Sequence, residues 1–231
     1  MTYDNITKAI FISRPNRFIA KVRLFDIQEE NAKEETVHVK NTGRCKELLI
    51  PGCTVYLEKS NNPNRKTLYD LIAVEKDSAQ GTKLFNIDSQ APNKVVLEWL
   101  KKQDYSLIKP EFTFGKSRFD FYLEKIDEKT GKTEKILMEV KGCTLEIDGI
   151  GYFPDAPTER GVKHLNELAA AISEGYKGIL AFVIQMEGVF EVRPNRKTHP
   201  EFAEALEKAK VSGVEVLFLH CTVRPDFLEI K

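Results

Sequence analysis

Three charged side chains interrupt apolar segments in the middle of the sequence. Asp120 stands between two phenylalanines in "SRFDF", and Glu139 and Lys141 lie two residues apart in "KILMEVKG". Both segments are predicted strands, and side chains alternate between the faces of a strand, so Glu139 and Lys141 share one face. A buried carboxylate or ammonium is costly to desolvate unless it is paired. The spacing therefore raises the question of what the three side chains bind.

The two predicted strands are joined by the polar turn "DEKTGKTE". A turn of this kind makes the strands antiparallel neighbours, so we expect Asp120 and Glu139 to lie side by side. Adjacent carboxylates repel each other unless a cation lies between them, and oxygen ligands suit Mg²⁺ or Mn²⁺. The alternative is an ion pair between Glu139 and Lys141 at a sheet edge, with Asp120 capping a turn.

An Asp followed by Glu-x-Lys is the residue set of nucleases of the PD-(D/E)-x-K type. In that chemistry the metal activates water and offsets charge at the scissile phosphate. The prediction is that Asp120, Glu139 and Lys141 are catalytic, that Asp120 and Glu139 bind the metal, and that Lys141 orients or polarises a water. Glu98 in "VVLEWL" is the candidate for a further metal ligand, with Glu111 as a rival. The alternative for Glu98 is an ordinary solvent-facing helix residue.

The elements around these residues predict two domains. Residues 1–90 contain short alternating strands and turns, which is typical of a small β-barrel such as the OB-fold. Residues 91–231 alternate strands and helices, which indicates an α/β domain with a mixed sheet. Asn93 is predicted to cap the first helix, and the polar segment 28–35 is predicted to be a turn. The predicted fold is thus an OB-like barrel followed by a nuclease-like α/β domain.

Basic residues are unevenly distributed along the chain. Between Lys8 and Arg23 there are five basic residues and no acidic one. The functional interpretation is a surface that contacts the phosphates of nucleic acid, and the alternative is a solvated strand face. The residues predicted to bind DNA are Arg14, Arg17, Arg23, Arg44, Arg65 and Lys66, together with Arg160 and His164, four residues apart at the start of a helix.

The bulk composition is that of an ordinary globular protein. The chain has 231 residues, of which 42% are hydrophobic, and its 35 basic and 35 acidic residues give no net charge. No apolar run approaches the ~18 residues of a membrane helix, and the first residues lack a signal-peptide pattern. The four cysteines are scattered and the histidines do not cluster with them, so no zinc site is predicted. We expect a cytoplasmic protein with reduced thiols and no membrane association.

Several longer motifs resemble one known family. The blocks "HVKNTGRCKELLIPG", "SRFDF", "EVKGCTL" and "FPDAPTERGVKHLNEL" occur in the order and spacing of the sugar fermentation stimulation protein family. The resemblance covers nearly the whole chain. It implies an OB-like barrel joined to a nuclease-like domain, DNA binding without sequence preference, and regulation of maltose metabolism.

Two main functional hypotheses follow from these observations. The first is a DNA-binding protein without sequence preference that carries a nuclease-like divalent-metal site. The second is an active Mg²⁺-dependent DNA or RNA nuclease, either endonuclease or exonuclease. A protein–protein adaptor is a third alternative, which only the zero net charge favours.

Overall fold

The first strands of the chain close into a barrel in the computed structural model, which describes residues 1–25, 33–78 and 81–231. Neighbouring strands follow the order β3-β2-β1-β4-β5-β6, and a parallel pairing of β3 with β5 closes the first five strands into a ring. This arrangement confirms the predicted OB-like barrel. The strands are β1 (Ile6–Asn16), β2 (Ile19–Leu24), β3 (Glu34–Val39), β4 (Thr54–Lys59), β5 (Tyr69–Ser78) and β6 (Gly81–Asn86).

Alternation of side chains explains the barrel. In β2, Ala20 and Val22 are fully buried while Lys21 and Arg23 are exposed, as expected of a strand with one face in the core. Of the segment 28–35 that was predicted as a turn, residues 28–32 lie outside the described residues. The barrel interior is filled by Ala9, Phe11, Val22, Val37, Val55, Leu57, Leu71 and Val74.

The second part of the chain is built around a six-stranded sheet in the order β15-β14-β12-β9-β8-β7. The strands β9, β12 and β14 are mutually parallel, whereas β7, β8 and β15 run antiparallel to their neighbours. The predicted mixed sheet is therefore confirmed. These strands are β7 (Leu107–Phe114), β8 (Ser117–Ile126), β9 (Thr133–Cys143), β12 (Lys177–Ile184), β14 (Glu215–Arg224) and β15 (Phe227–Ile230).

Helices cover both faces of this sheet. Leu180 and Phe182 of β12 pack into the core that includes α2, whereas Ala181 and Val183 pack into the core that includes α1. Burial on both faces explains the near-continuous apolar sequences of the central strands. The remaining elements are α1 (Ala91–Leu100), α2 (Glu159–Ser173), α3 (Pro200–Val211) and a small sheet of β10 (Leu145–Ile147), β11 (Ile150–Phe153) and β13 (Val192–Pro194).

The start of the chain pairs with the last strand, β15, while Tyr3 also packs against Ile72 and Ala73 of the barrel. Thr2 forms a bridge with Phe227, and the amide of Leu228 donates to the carbonyl of Met1 at 3.0 Å. The first residues therefore extend the edge of the second sheet before the chain enters β1. In the part of the chain that the structure describes, no helix has the length and apolar character needed to cross a membrane.

Candidate metal and nucleic-acid site

Strand β8 departs from regular pairing at Asp120. On its β9 side, the pairs run as far as Phe121 with Met138. There Oδ2 of Asp120 accepts a hydrogen bond from the backbone amide of Val140 at 2.7 Å. On its β7 side, Glu111 has a φ of 54°, and the cross-strand pairs lie to either side of it. The Asp120 side chain thus takes the place of the backbone carbonyl that the amide of Val140 on β9 would otherwise bond to on β8.

Helix α1 holds the second oxygen of Asp120. Asn93 Nδ2 donates to Asp120 Oδ1 at 2.7 Å. Helix α1 begins at Ala91, so Asn93 lies inside the helix and Gln90 occupies the capping position; the prediction of Asn93 as the cap was wrong. Burial and the negative charge of Glu139 raise the pKa of Asp120, although the two hydrogen bonds oppose this shift.

Glu139 is buried, with 2% of its surface exposed. Its Oε1 accepts from Lys141 Nζ at 2.5 Å and contacts His164 Nδ1 at 2.6 Å. Its Oε2 is buried and has no hydrogen-bond partner among the described residues. Burial acts to raise the pKa of Glu139, but the hydrogen bonds and charges of His164 and Lys141 outweigh it and hold the pKa below its usual range.

Helix α2 places His164 against Glu139. The Thr158 side chain accepts from the amide of Gly161 at 3.0 Å and caps the helix. Arg160 Nε donates to His164 Nε2 at 3.3 Å, so in the neutral ring the proton lies on Nδ1 and points at Glu139. Because the ring is buried and both nitrogens are engaged, the prediction that His164 binds DNA phosphate is replaced by a role beside the carboxylates.

The carboxylates fit a small hard cation. Among the described residues, no group of three or more His, Cys, Asp or Glu side chains is placed to hold a metal. Mg²⁺ does not require such a group, since it keeps several waters and is held by one or two carboxylates plus substrate phosphates. The unpartnered Oε2 of Glu139 is the observation that favours a cation, because a buried carboxylate oxygen without a partner is costly.

The side chains of the two further acidic candidates have other partners. Glu98 accepts from the N-terminal ammonium of Met1 at 2.7 Å. It lies five residues after Asn93, hence about 140° away around the helix axis, so it does not share the face that contacts Asp120. Glu111 is exposed and lies 3.7 Å from Arg118. The prediction of Glu98 as a metal ligand is thus corrected.

Arg14 organises a loop of the barrel. Its guanidinium donates to the backbone carbonyls of Gly43, Arg44, Arg17 and Asn41 at 2.6–3.0 Å. Four of its five N–H donors are therefore occupied. This occupancy contradicts the prediction that Arg14 contacts phosphate.

Arg65 is also occupied. It makes a two-pronged ion pair with Asp70, at 2.9 Å and 2.5 Å, and His38 shares the same carboxylate at 2.9 Å. Burial acts to raise the pKa of Asp70, but Arg65 and His38 outweigh it and hold the pKa below its usual range. The prediction that Arg65 contacts DNA is corrected to a structural role at the barrel closure.

We expect Arg65→Ala to lower the free energy of unfolding by about 1–2 kcal/mol, because Asp70 loses a charged partner. The neighbouring, exposed Lys66→Ala should change it by less than about 0.5 kcal/mol. Urea denaturation near neutral pH measures both. A folded pKa below the usual range means that the ion pair stabilises above about pH 4 and is lost as the pH falls further. Equal effects of the two variants would contradict this role.

The other predicted DNA-binding residues are exposed. They are Arg17, Arg23, Arg44, Lys66 and Arg160. Arg17 and Arg44 line a groove of about 520 Å³ between the barrel and the second sheet, which we call the interdomain groove. Its other lining residues include Thr42, Ser89, Gly142, Thr144, Tyr152, Asp155, Thr158 and Gln185.

A contact between two loops fixes the wall of the interdomain groove. The Arg44 amide donates to Asp155 Oδ2 at 2.9 Å, and Arg44 Nε donates to the Asp155 carbonyl at 2.6 Å. A Cβ at Gly43 would overlap the Asp155 carboxylate, so only glycine permits this approach. The "NTGRC" and "FPDA" motifs therefore meet in space and join the two parts of the chain.

Comparisons with known proteins match both parts of the chain. A family model described as the sugar fermentation stimulation protein RE domain matches residues 90–227, and one described as the SfsA N-terminal OB domain matches residues 12–82. Relatives named sugar fermentation stimulation protein homolog are 52% identical in Desulfitobacterium hafniense, over 99% of this chain and 95% of the relative, and 51% identical in Ruminiclostridium cellulolyticum, over 100% and 97%.

A solved structure agrees with the fold. The structure of Pyrococcus furiosus SfsA in complex with Ca²⁺ is similar, with a TM-score of 0.81 and 28% sequence identity. The match covers 100% of this chain and 95% of that chain. Both parts of the fold are therefore shared with that protein.

Proposed function

This chain belongs to the sugar fermentation stimulation protein family, and from that premise we propose that it binds nucleic acid without sequence preference and holds a divalent cation between Asp120 and Glu139. The observation that carries the proposal is the buried, unpartnered Oε2 of Glu139, together with the electrostatic effect of Glu139 on the Asp120 carboxylate, whose pKa it raises. Mg²⁺ or Mn²⁺ is the proposed cation. The complex of the Pyrococcus furiosus relative with Ca²⁺, another oxygen-preferring cation, supports this choice.

Electrostatics link the cation to the nucleic acid. Two carboxylates next to a nucleic-acid strand repel its phosphates unless a cation offsets the negative charge of the carboxylates. Lys141 contributes one positive charge, but its Nζ is already bonded to Glu139. A divalent ion between the carboxylates would remove this local repulsion and strengthen the binding that the basic side chains support on their own.

The barrel and the interdomain groove supply sequence-tolerant contacts. Arg17 and Arg44 border the groove, and the Phe18 ring beside Arg17 is 49% exposed. Exposed aromatic rings next to cations are suited to stacking on bases, which every base permits. Phosphate contacts likewise carry no sequence information. Either DNA or RNA would satisfy these contacts, and DNA is the proposed partner.

Hydrolysis of phosphodiesters is the second candidate function, and the position of Lys141 favours it. The cation, when bound, would activate water and polarise the phosphate. The Lys141 side chain is partly exposed, at 15%, and in this role it would donate to a phosphate oxygen or orient the attacking water. His164 and Lys141 both bond Oε1 of Glu139, which fixes the carboxylate and leaves Oε2 as its free ligand atom.

Three other predictions remain proposals. The boundary between the domains is proposed at residues 90 and 91, and a cytoplasmic location is proposed from the sequence alone. A role in regulating sugar metabolism follows from the name of the relatives and not from any contact in the site.

Titration of Mn²⁺ by calorimetry tests the cation site directly. Wild-type protein should bind Mn²⁺ near neutral pH, and Glu139→Gln should weaken binding by at least about tenfold, because one of two anionic ligands is lost. Glu204→Gln, at an exposed position on α3, should bind as wild type does. A wild-type protein that gives no binding heat, or Glu139→Gln with wild-type affinity, would contradict the site.

A further inference from the structure

A second concave surface lies on the other side of the start of α2 from the interdomain groove. It has a volume of about 540 Å³, and we call it the basic cleft. It lies between the β7–β8 turn and the first two turns of α2. Its seven lining residues are Lys116, Ser117, Arg118, Glu159, Arg160, Lys163 and His164.

Basic side chains predominate in the lining of the basic cleft. Four of its seven lining residues carry a Lys or Arg charge and one carries a carboxylate. The Arg118 and Lys163 side chains are 59% and 50% exposed, so they reach solvent rather than the core. Lys163 Nζ donates to the carbonyl of Lys116 at 2.9 Å, which joins the turn to the helix and fixes the width of the cleft.

Ser117 is the informative residue of the basic cleft. It is only 5% exposed, and its Oγ is buried without a hydrogen-bond partner among the described residues. A buried hydroxyl without a partner is uncommon and costs stability. The same residue lines the cleft, so the cleft is where a partner for this hydroxyl would have to come from.

The basic cleft is connected to the carboxylate site. His164 lines the cleft and contacts Glu139 at 2.6 Å. Ser117 lies on β8, three residues before Asp120. Thr158 lines the interdomain groove, whereas the next two residues along the chain line the cleft. The two concave surfaces therefore lie on either side of the start of α2, and His164 links the cleft to the carboxylates.

We propose that the basic cleft binds a backbone phosphate of the nucleic-acid strand that the carboxylate site acts on. The Ser117 hydroxyl donates to a non-bridging phosphate oxygen, and Arg118 and Lys116 neutralise the charge. Four cations and one carboxylate line the cleft, and Glu111 and Glu167, each 3.7 Å from one of these cations, offset part of the charge. The remaining excess of positive charge favours a phosphate, and the open shape favours a continuous nucleic-acid strand. This inference rests on the proposed function, and it adds a second contact point that positions the strand.

Ser117→Ala gives the sharpest test. The affinity for a hydroxyl-terminated oligonucleotide of about 12 nucleotides, measured by fluorescence anisotropy in EDTA, should fall about three- to tenfold, as for loss of one hydrogen bond. The midpoint of thermal unfolding should stay the same or rise, because the variant removes an unsatisfied buried hydroxyl. A lower midpoint, or wild-type affinity, would overturn the proposal.

A charge reversal tests the cations. Arg118→Glu should weaken binding of the same oligonucleotide by about tenfold or more. The slope of log K against log salt concentration should become smaller in magnitude by about one, as expected for the loss of one phosphate contact. The matched control is Arg224→Glu, at an exposed position on β14, which should bind within about twofold of wild type. Equal losses in both variants would show a general charge effect and overturn the proposal.

Failure of the basic cleft is distinguishable from failure of the cation site. The oligonucleotide measurements contain EDTA, so they report phosphate contacts without any metal. The Mn²⁺ titration contains no nucleic acid, and Ser117→Ala should leave it unchanged. Wild-type oligonucleotide affinity in Ser117→Ala, together with normal Mn²⁺ binding, would reject the cleft and leave the cation site standing.

Discussion

If phosphodiester hydrolysis is the function, a protein carrying Asp120→Asn should cut plasmid DNA on the order of a thousandfold more slowly than wild type in Mg²⁺ or Mn²⁺. The reason is the geometry around this side chain. Both oxygens already accept hydrogen bonds, from Asn93 Nδ2 and from the Val140 amide. An asparagine must present its own NH₂ group to one of these donors, so it loses both the anionic ligand and the position that the aspartate holds.

The same substitution should have little effect on folding. Burial and the charge of Glu139 raise the pKa of Asp120, so the ionised side chain is held in the folded protein at a cost. Removing the charge relieves this cost, while the mismatched amide costs a hydrogen bond. We expect a change of less than about 1 kcal/mol in the free energy of unfolding, measured by urea denaturation. A loss of cutting therefore cannot be attributed to unfolding.

Controls separate the site from a contaminating nuclease. Asp104→Asn, at an exposed position after α1, should cut as wild type does when purified in the same way. Lys141→Ala should also lose cutting. If all of these proteins cut equally, the activity belongs to a contaminant. If wild type cuts neither DNA nor RNA with any divalent metal while it still binds Mn²⁺, the protein is a binder and hydrolysis is rejected.

The sequence was sufficient to predict that Asp120 and Glu139 lie on neighbouring antiparallel strands. Asp120 and Glu139 stand in two apolar segments joined by a short polar turn, and antiparallel pairing then follows from chain connectivity. The alternation of apolar and basic residues in β2 predicted a strand of the barrel. The near-continuous apolar sequence of β12 predicted a strand that is buried on both faces of the sheet. These features depend on short-range patterns, which a single sequence carries.

The sequence could not show which donors and acceptors are already occupied. Arg14 and Arg17 look alike in "SRPNRF", yet four N–H groups of Arg14 bond to backbone carbonyls while Arg17 stays exposed. The sequence offers Glu98 as a metal ligand, but the N-terminal ammonium occupies its carboxylate. Partners contributed by distant parts of the chain decide these cases.

The roles of His164 and Ser117 had little or no signal in the sequence. His164 lies four residues after Arg160 in a helix that follows the Glu-x-Lys strand, which indicated proximity to the site but not its contact with Glu139. Ser117 gave no signal, because serine at a strand end is ordinary. Its unpartnered hydroxyl becomes visible only when the packing of β8 against α2 is known.

A buried polar network joins the barrel to the second part of the chain. Asp88, between β6 and α1, is fully buried and lies 2.9 Å from Lys40 Nζ. It also accepts from the Gln90 amide at 2.9 Å, next to the start of α1. Asn86 Nδ2 donates to the hydroxyl of Tyr3 at 2.9 Å, and burial, with the charge of Asp88, raises the pKa of that hydroxyl. This network therefore anchors the helix that carries Asn93.

Removing the charge at the centre of this network should be the most destabilising single change. Asp88→Ala leaves the Lys40 ammonium, whose side chain is only 13% exposed, without its nearest partner, so we expect a loss of about 3–5 kcal/mol in the free energy of unfolding. Urea denaturation followed by fluorescence of Trp99, the single tryptophan and part of α1, measures it. The control Asp104→Ala should lower the free energy of unfolding by less than about 0.5 kcal/mol.

Adding Lys40→Met to Asp88→Ala should recover part of the lost stability, because no unpaired ammonium remains. A double variant that is less stable than Asp88→Ala would show that other contacts hold Lys40.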